Sequence, residues 1–301
     1  MSKVINCYEE NYPQNLLNIR TYPQRLYYIG NNKLLNHKRI IAIVGSRDCT
    51  EYGRRYARSF AKKLAENDIC VISGLAVGID TAAHYGALYE RGRTIAVLGG
   101  GLNDIYPKDN IWLYNEILEN EGCIITEHED DEETLISGFP QRNRLISGIA
   151  DAVLVIEAEY RSGSKITARY AKEQGKKVYC IPSNLGSKNG IGTNELIMNG
   201  ATMVTNPIQI VKDLYDCKVS ENECEQQEII QVSEEYREIY ALLKEKERTS
   251  DEISRLIGKN IAEVNSILTI MEIEGYIQKD IGNIFKIKEG CSWIKIMKLG
   301  Y

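Results

Sequence analysis

The side chains most able to do chemistry in this chain sit in short, glycine-containing turns, and the chemistry they suit is the holding of anions. Gly45-Ser46-Arg47 follows Ile40-Ile41-Ala42-Ile43-Val44, five apolar and mostly β-branched residues. Such a run reads as a strand buried on both faces. A strand end, a small-residue turn and a following helix together present backbone N–H groups, the positive end of a helix dipole and, here, a guanidinium. Ser73-Gly74-Leu75-Ala76-Val77-Gly78-Ile79-Asp80-Thr81 repeats the pattern, with Ser73, Gly74 and Gly78 as its small or hydroxyl positions. Two such turns on adjacent strands form an extended anion cradle. Ser162-Gly163-Ser164-Lys165 places the same chemistry at a third helix start. It is not a Walker A loop, and no strand–turn–helix carries the spaced G-x-G-x-x-G of a dinucleotide binder. A nicotinamide cofactor is therefore disfavoured, and none is expected.

The most specific stretch is Phe139-Pro140-Gln141-Arg142-Asn143-Arg144-Leu145. Two arginines flanking an amide at a helix start suit bidentate phosphate clamping or stacking on bases. The plainer alternative is that both arginines cap and solvate a helix. Gly99-Gly100-Gly101 implies close backbone approach, and Lys108 after Tyr106-Pro107 adds either a phosphate contact or a solvated ammonium. His84 follows Asp80 by one helical turn, so the two can pair. A structural histidine is the expectation, because no nucleophile or third orienting group lies nearby in sequence.

The elements that must position these turns follow from hydrophobic period. Candidate strands are 40–44, 69–72, 94–98, 123–126, 152–156, 177–181 and 202–204, with amphipathic stretches between them. In 54–65, Ala57, Phe60, Ala61, Leu64 and Ala65 share one face, opposite Arg55, Arg58 and Lys62. Strand–helix alternation with short connections means an α/β fold: an extended Rossmann-like, mainly parallel sheet with helices on both faces. Such sheets bind ligands at the carboxyl ends of their strands, where the turns fall. Residues 1–38, with Tyr12-Pro13 and Tyr22-Pro23, read as an N-terminal brace packed on the 39–215 domain. Residues 216–235 set seven acids against Lys218 and read as an acidic linker.

From 236 to 288 a compact pattern follows. A helix near 236–245 leads to the capping box Thr249-Ser250-Asp251-Glu252, a second helix to Ile257, a break at Gly258 and a third helix over 260–274. Two short strands then flank Gly282. Three helices and a hairpin spell a small C-terminal winged-helix domain. The third helix carries Glu263, Glu272 and Glu274 and no Lys or Arg. A groove-reading helix should be basic, so this module is expected to contact protein or the other domain. The tail, 289–301, reads as one more strand or a docked end.

Composition sets the outer limits. The chain has 301 residues, 43% hydrophobic and 26% charged, with net charge −5. That excludes a generally basic coat but allows a local cationic stripe. No apolar run is long enough to span a membrane, and Met1-Ser2-Lys3-Val4-Ile5-Asn6 opens no signal-peptide core. The eight cysteines form no CxxC pair, so they read as small hydrophobes of a reducing compartment rather than a zinc site or disulfide framework. The expected location is cytoplasmic.

Taken together, the motifs resemble the DprA/Smf family of DNA-processing proteins. The resemblance runs from Tyr12-Pro13 through the winged helix. It is carried by Gly-Ser-Arg at 45–47, Ser-Gly-x-Ala-x-Gly-Ile-Asp at 73–80, Tyr-Pro-Lys at 106–108, Phe-Pro-x-Arg-Asn-Arg at 139–144, Ser-Gly-Ser-x-Ile-Thr-Ala at 162–168 and Gly-Thr-Asn-Glu-Leu-Ile at 192–197. It implies a homodimer that binds and protects single-stranded DNA and passes it to the RecA recombinase during natural transformation, without catalysis. Arg47, Lys108, Arg142 and Arg144 become the DNA contacts, with Gly45, Ser46, Ser73, Gly74, Gly78, Asn143 and Ser162 to Lys165 around them. Residues 193–204 become a dimer surface. Three departures from the family pattern stand out: the acidic loop Glu127–Glu133, Pro182-Ser183 where Pro-Gly is usual, and Lys165 in place of Leu. The family's additional N-terminal helical module is expected to be absent.

The competing function is a nucleotide-processing Rossmann enzyme that cleaves a nucleoside monophosphate, with Glu157 or Asp80 as acid or base. Against it, the chain lacks the Pro-Gly-Gly-x-Gly-Thr loop of such enzymes. A third reading is a scaffold acting through the winged helix. Phe139 and Tyr160 are the nearest candidates for stacking on bases.

Overall fold

The N-terminal segment does more than brace. The computed structural model describes residues 2–89, 93–135, 137–215, 236–273, 276–280 and 283–287. Within it, β1 (Lys3–Asn6) and β2 (Arg25–Gly30) form an antiparallel pair, and β2 runs antiparallel to β6 (Cys123–Thr126) with Tyr28 opposite Ile125. β1 is the edge strand and β2 lies next to it, with only Leu26 and Tyr28 of β2 buried, so the continuous apolar signature of a central strand is missing. Short 3₁₀ turns between them at Gln14–Asn18 and after β2 at Asn32–Asn36 drop Leu16, Leu34 and Leu35 into the core.

The other strands are β3 (Ile40–Val44), β4 (Cys70–Ser73), β5 (Thr94–Val97), β7 (Ala152–Val155), β8 (Lys177–Cys180) and β9 (Thr202–Met203). They lie within a residue or so of their expected bounds. Sheet order is β1-β2-β6-β5-β4-β3-β7-β8-β9, and all pairings from β6 to β9 are parallel. The chain steps outward from β3 through β4, β5 and β6, then returns to the other side of β3 as β7. The β3/β7 boundary is thus the topological switch point, where open α/β sheets form a crevice.

Both faces of the sheet are covered, which is why the central strands read as unbroken apolar runs. Ile41, Ile43, Val71 and Leu154 pack with α1 (Glu51–Glu66) and α2 (Ile79–Tyr89) on one side. Ala42, Val44, Ile72, Val153 and Val155 pack on the other with α4 (Gly138–Ile149) and α5 (Gly163–Glu173). The remaining helices of this part are α3 (Ile111–Glu119), α6 (Ile191–Met198) and α7 (Pro207–Tyr215). Among the described residues no helix is long and apolar enough to cross a membrane, and Cys7, Cys49, Cys70, Cys123 and Cys180 are free thiols.

The chain divides into two compact units, 1–219 and 220–301. The second contains α8 (Arg237–Glu245), β10 (Arg248–Thr249), α9 (Ser250–Ile257), α10 (Ile261–Ile273), β11 (Ile277–Asp280) and β12 (Ile284–Ile287), with sheet order β10-β12-β11. This is a winged helix with its own core of Ile239, Leu243, Ile253, Val264, Leu268, Met271 and Phe285. Thr249 and Glu252 form the expected reciprocal capping box, and Gly258 ends α9 at φ +66°. Residues read as the acidic linker, the turn at Gly282 and the tail lie outside the described residues.

Candidate nucleic-acid interface

The turns that follow β3, β4 and β5 interlock before any ligand is considered. Gly78, at φ +86°, lies against the carbonyls of Ser46 and Arg47, where a Cβ would come within 2.5 Å of both. The Ile79 amide donates to Ser46 O at 3.2 Å. Gly45 has no room for a Cβ because Ile79 occupies it. These glycines let two backbones of the same protein touch.

Arg142 is the buried keystone of that arrangement. It is only 4% exposed. Its Nη1 donates to Gly74 O at 2.6 Å and to Val97 O, so one guanidinium ties the ends of β4 and β5. Gly74 is required because a Cβ there would sit 2.4 Å from Arg142 Nη1. Asp80 balances the charge, accepting from the Gly74 amide at 3.1 Å. Burial draws the Arg142 guanidinium down to about 10, with Asp80 opposing the shift, and burial raises the Asp80 carboxyl. Arg142, expected as a phosphate contact, lies instead inside the turns: its Nη1 donates to two carbonyls, while its buried Nε has no partner. Ser73 is likewise withdrawn, being fully buried and donating to Ile43 O at 2.6 Å. The Asp80–His84 pair is not made either. His84 is buried with its Nδ1 2.7 Å from Thr94 Oγ1, and desolvation lowers its pKa to about 3.

The triple glycine serves the acidic loop. Gly101 and Gly100 lie against the backbone of Glu129-Asp130 and against Thr134, and Gly99 against Phe139. The Gly101 amide donates to Glu132 O at 2.8 Å. The loop's first carboxylate, Glu127, takes both Arg144 Nη atoms at 2.7 and 2.6 Å. Arg144 is thus paired in a half-buried fork, while Asn143 reaches Gly163 O at 3.3 Å. Lys108 is exposed and 3.2 Å from Asp104, a surface pair of small worth that a phosphate can displace.

What faces solvent at this rim is a stack. Arg47 is exposed, and its guanidinium lies 4.8 Å above the Phe139 ring. Phe139 meets Tyr106 at 5.4 Å between centroids, and Tyr106 is 49% exposed. Arg47 has no carboxylate within ion-pair distance among the described residues. The sequence marks Tyr106 only by its place in Tyr-Pro-Lys.

Beyond the switch point the rim is open. Ser162 caps α5, accepting from Ser164 N, and a Cβ at Gly163 would meet nothing within 4 Å. Lys165 is 2.7 Å from Glu195 and also donates to Tyr160 O at 3.0 Å. Glu157 is 2% exposed and takes the Thr50 amide and hydroxyl at the start of α1. Two positioning residues escaped sequence reading. Asn110 donates to Leu75 O at 2.7 Å and Asn189 donates to Asp48 O. Their partners lie 35 and 141 residues away, so no local pattern marks them.

Comparison with known proteins places these features in company. The family model for DNA recombination-mediator protein A matches residues 3–215, and that for the DprA winged helix domain matches 225–283. Protein Smf of Escherichia coli is 36% identical over 287 residues, covering 94% of this chain and 76% of that protein. DNA processing protein DprA of Streptococcus pneumoniae is 41% identical over 197 residues, covering 65% and 69%. The X-ray structure of the Streptococcus pneumoniae protein superposes with a TM-score of 0.67 at 38% identity, covering 70% of this chain and 74% of that one. DNA processing protein A from Helicobacter pylori, whose structure is described for its single-stranded DNA binding mode, superposes at 0.65 and 31% identity, covering 72% and 96%.

Proposed function

Because the chain belongs to the family of DNA recombination-mediator protein A, we propose that it binds single-stranded DNA at the Arg47–Phe139–Tyr106 rim, protects it during DNA uptake and passes it to the RecA recombinase. The observation that carries this reading is the exposed guanidinium laid on an aromatic pair. A base can stack on the rings while its phosphates meet Arg47, Lys108 and the amides of Ser162 and Gly163. Such contacts track the backbone and carry little sequence preference.

The 39–215 domain does the binding and does no catalysis. The two carboxylates an enzyme reading would use are both engaged inside the fold: Glu157 caps α1, and Asp80 sits beneath Gly74. Residues 193–204 form the dimer surface, a reading supported by Met198 and Met203, which are 86% and 54% exposed. In α10 the exposed positions Glu263, Asn265, Ser266 and Thr269 suit a protein surface better than a duplex groove.

The test is anisotropy titration of labelled single-stranded and duplex oligonucleotides across a salt series, beside chromatography of nucleoside monophosphates incubated with the protein. Single-strand preference, a salt slope that falls by about one in Arg47→Ala and intact nucleotides are expected. Nucleotide cleavage, or an Arg47→Ala slope equal to the parent's, overturns the reading.

A further inference from the structure

The solvent face of α1 and α2 repeats the chemistry of the rim at a place to which no role has been assigned. The two helices lie side by side because Gly86 has no Cβ to strike the Arg58 carbonyl, which would be 2.4 Å away. Arg58 and Lys62 are one turn apart on α1, as Tyr85 and Tyr89 are on α2. Arg58 Cζ stands 4.6 Å from the Tyr85 centroid, and Lys62 Nζ stands 4.7 Å from that of Tyr89. Trp112, at the start of α3, continues the row by meeting Tyr85 at 6.3 Å and 63°. These rings do not fill a core: Tyr89 is 61% and Trp112 47% exposed, beside Ile111 at 39%.

We propose that this face is a second track for single-stranded nucleic acid, along which a strand leaving the rim continues. The inference rests on the rim reading for the identity of the strand. α2 starts directly from the Gly74–Gly78 turn and three residues separate Arg47 from α1, so the face is an extension of the rim. Rungs four residues apart repeat at about 6 Å, wider than the roughly 3.4 Å rise along a stacked duplex strand. That spacing suits an extended strand whose bases have come apart. Rings with cations between them offer π-faces to any base and charge to its phosphates. Nearby acids are partly neutralised: Glu51 is 3.4 Å from Arg54, and Glu66 is 2.8 Å from Lys63.

The full chain is titrated with oligothymidines of about 6 and about 16 nucleotides, bracketing a short site and a long one. In Lys62→Gln/Tyr89→Ala, whose side chains lie at the surface, the short oligonucleotide binds as it does to the parent. The extra affinity of the long one falls about tenfold, the effect of losing one stacked base. A second readout uses a Trp293→Phe background, which leaves Trp112 as the one indole of two in the chain. Its emission is quenched by the long oligonucleotide and not by the short. A long-oligonucleotide advantage that survives the double variant, or an indole blind to the long strand, overturns the second track. A parent chain that ignores the short oligonucleotide overturns the rim reading, while loss of the long-strand advantage in the variant still supports the track.

Discussion

The turns after β3, β4 and β5 are filled from within the protein, whereas the turn after β7 opens to solvent at Tyr160, Arg161 and Gly163. In the closed half, glycines at 45, 74 and 78 admit neighbouring side chains and carbonyls, and Arg142 Nη1 donates to Gly74 O and Val97 O. In the open half, nothing stands within 4 Å of the space beside Gly163. Both halves have small residues and donors, yet a donor already satisfied in the folded chain is not available to a ligand. The closed half gives rigidity and holds Phe139 and Arg47 outward; the open half offers amides.

That contrast is broken most severely at Arg142. Arg142→Ala leaves Asp80 buried without its counter-charge and two carbonyls without a donor, and is expected to cost about 3–5 kcal/mol; urea denaturation measures it. A loss of oligonucleotide affinity with unchanged stability would instead put Arg142 on the ligand side.

Acid attacks the same half. His84 has its pKa lowered from 6.5 to about 3 in the fold, so the unfolded chain takes up the proton first. Stability is full above pH 6.5 and falls by about 1.4 kcal/mol for each pH unit below, until the folded pKa is reached. The raised Asp80 carboxyl works in the opposite direction, so the readout is the difference between the parent and His84→Gln, whose profile between pH 6 and 4 is expected to be flatter.

Arg47→Ala sharpens the comparison from the other side. It removes a cation lying on a ring at the surface, so oligonucleotide affinity is expected to fall about tenfold at low salt while the urea midpoint stays put. The smallest effect belongs to Gly163→Ala. With open space and no left-handed φ at that position, stability is expected to change by less than about 0.5 kcal/mol. Gly78→Ala, strained at φ +86° and clashing with two carbonyls, is expected to be strongly destabilising in the same assay.

Much of the architecture was legible beforehand. The central strands announce themselves because both faces are buried and every residue is apolar, and the Thr249–Glu252 box announces α9 because capping is local in sequence. β1 and β2 did not, since an edge pair buries only part of each strand and takes its definition from β6, nearly a hundred residues on. The candidate site was legible as a set of turns but not as a set of roles. Arg47, Arg142 and Arg144 look alike as letters. One lies exposed on Phe139, one is buried under Gly74 and one is forked onto Glu127.

Residue type and period alone determined the layered α/β plan, the rim at which its turns gather and the winged helix, because these depend on neighbours within a few positions. Only the tertiary structure decided which donors remain for a ligand. Whether a guanidinium meets water or a carbonyl depends on chain segments that arrive from far away, and a buried polar group takes the nearest partner the fold supplies.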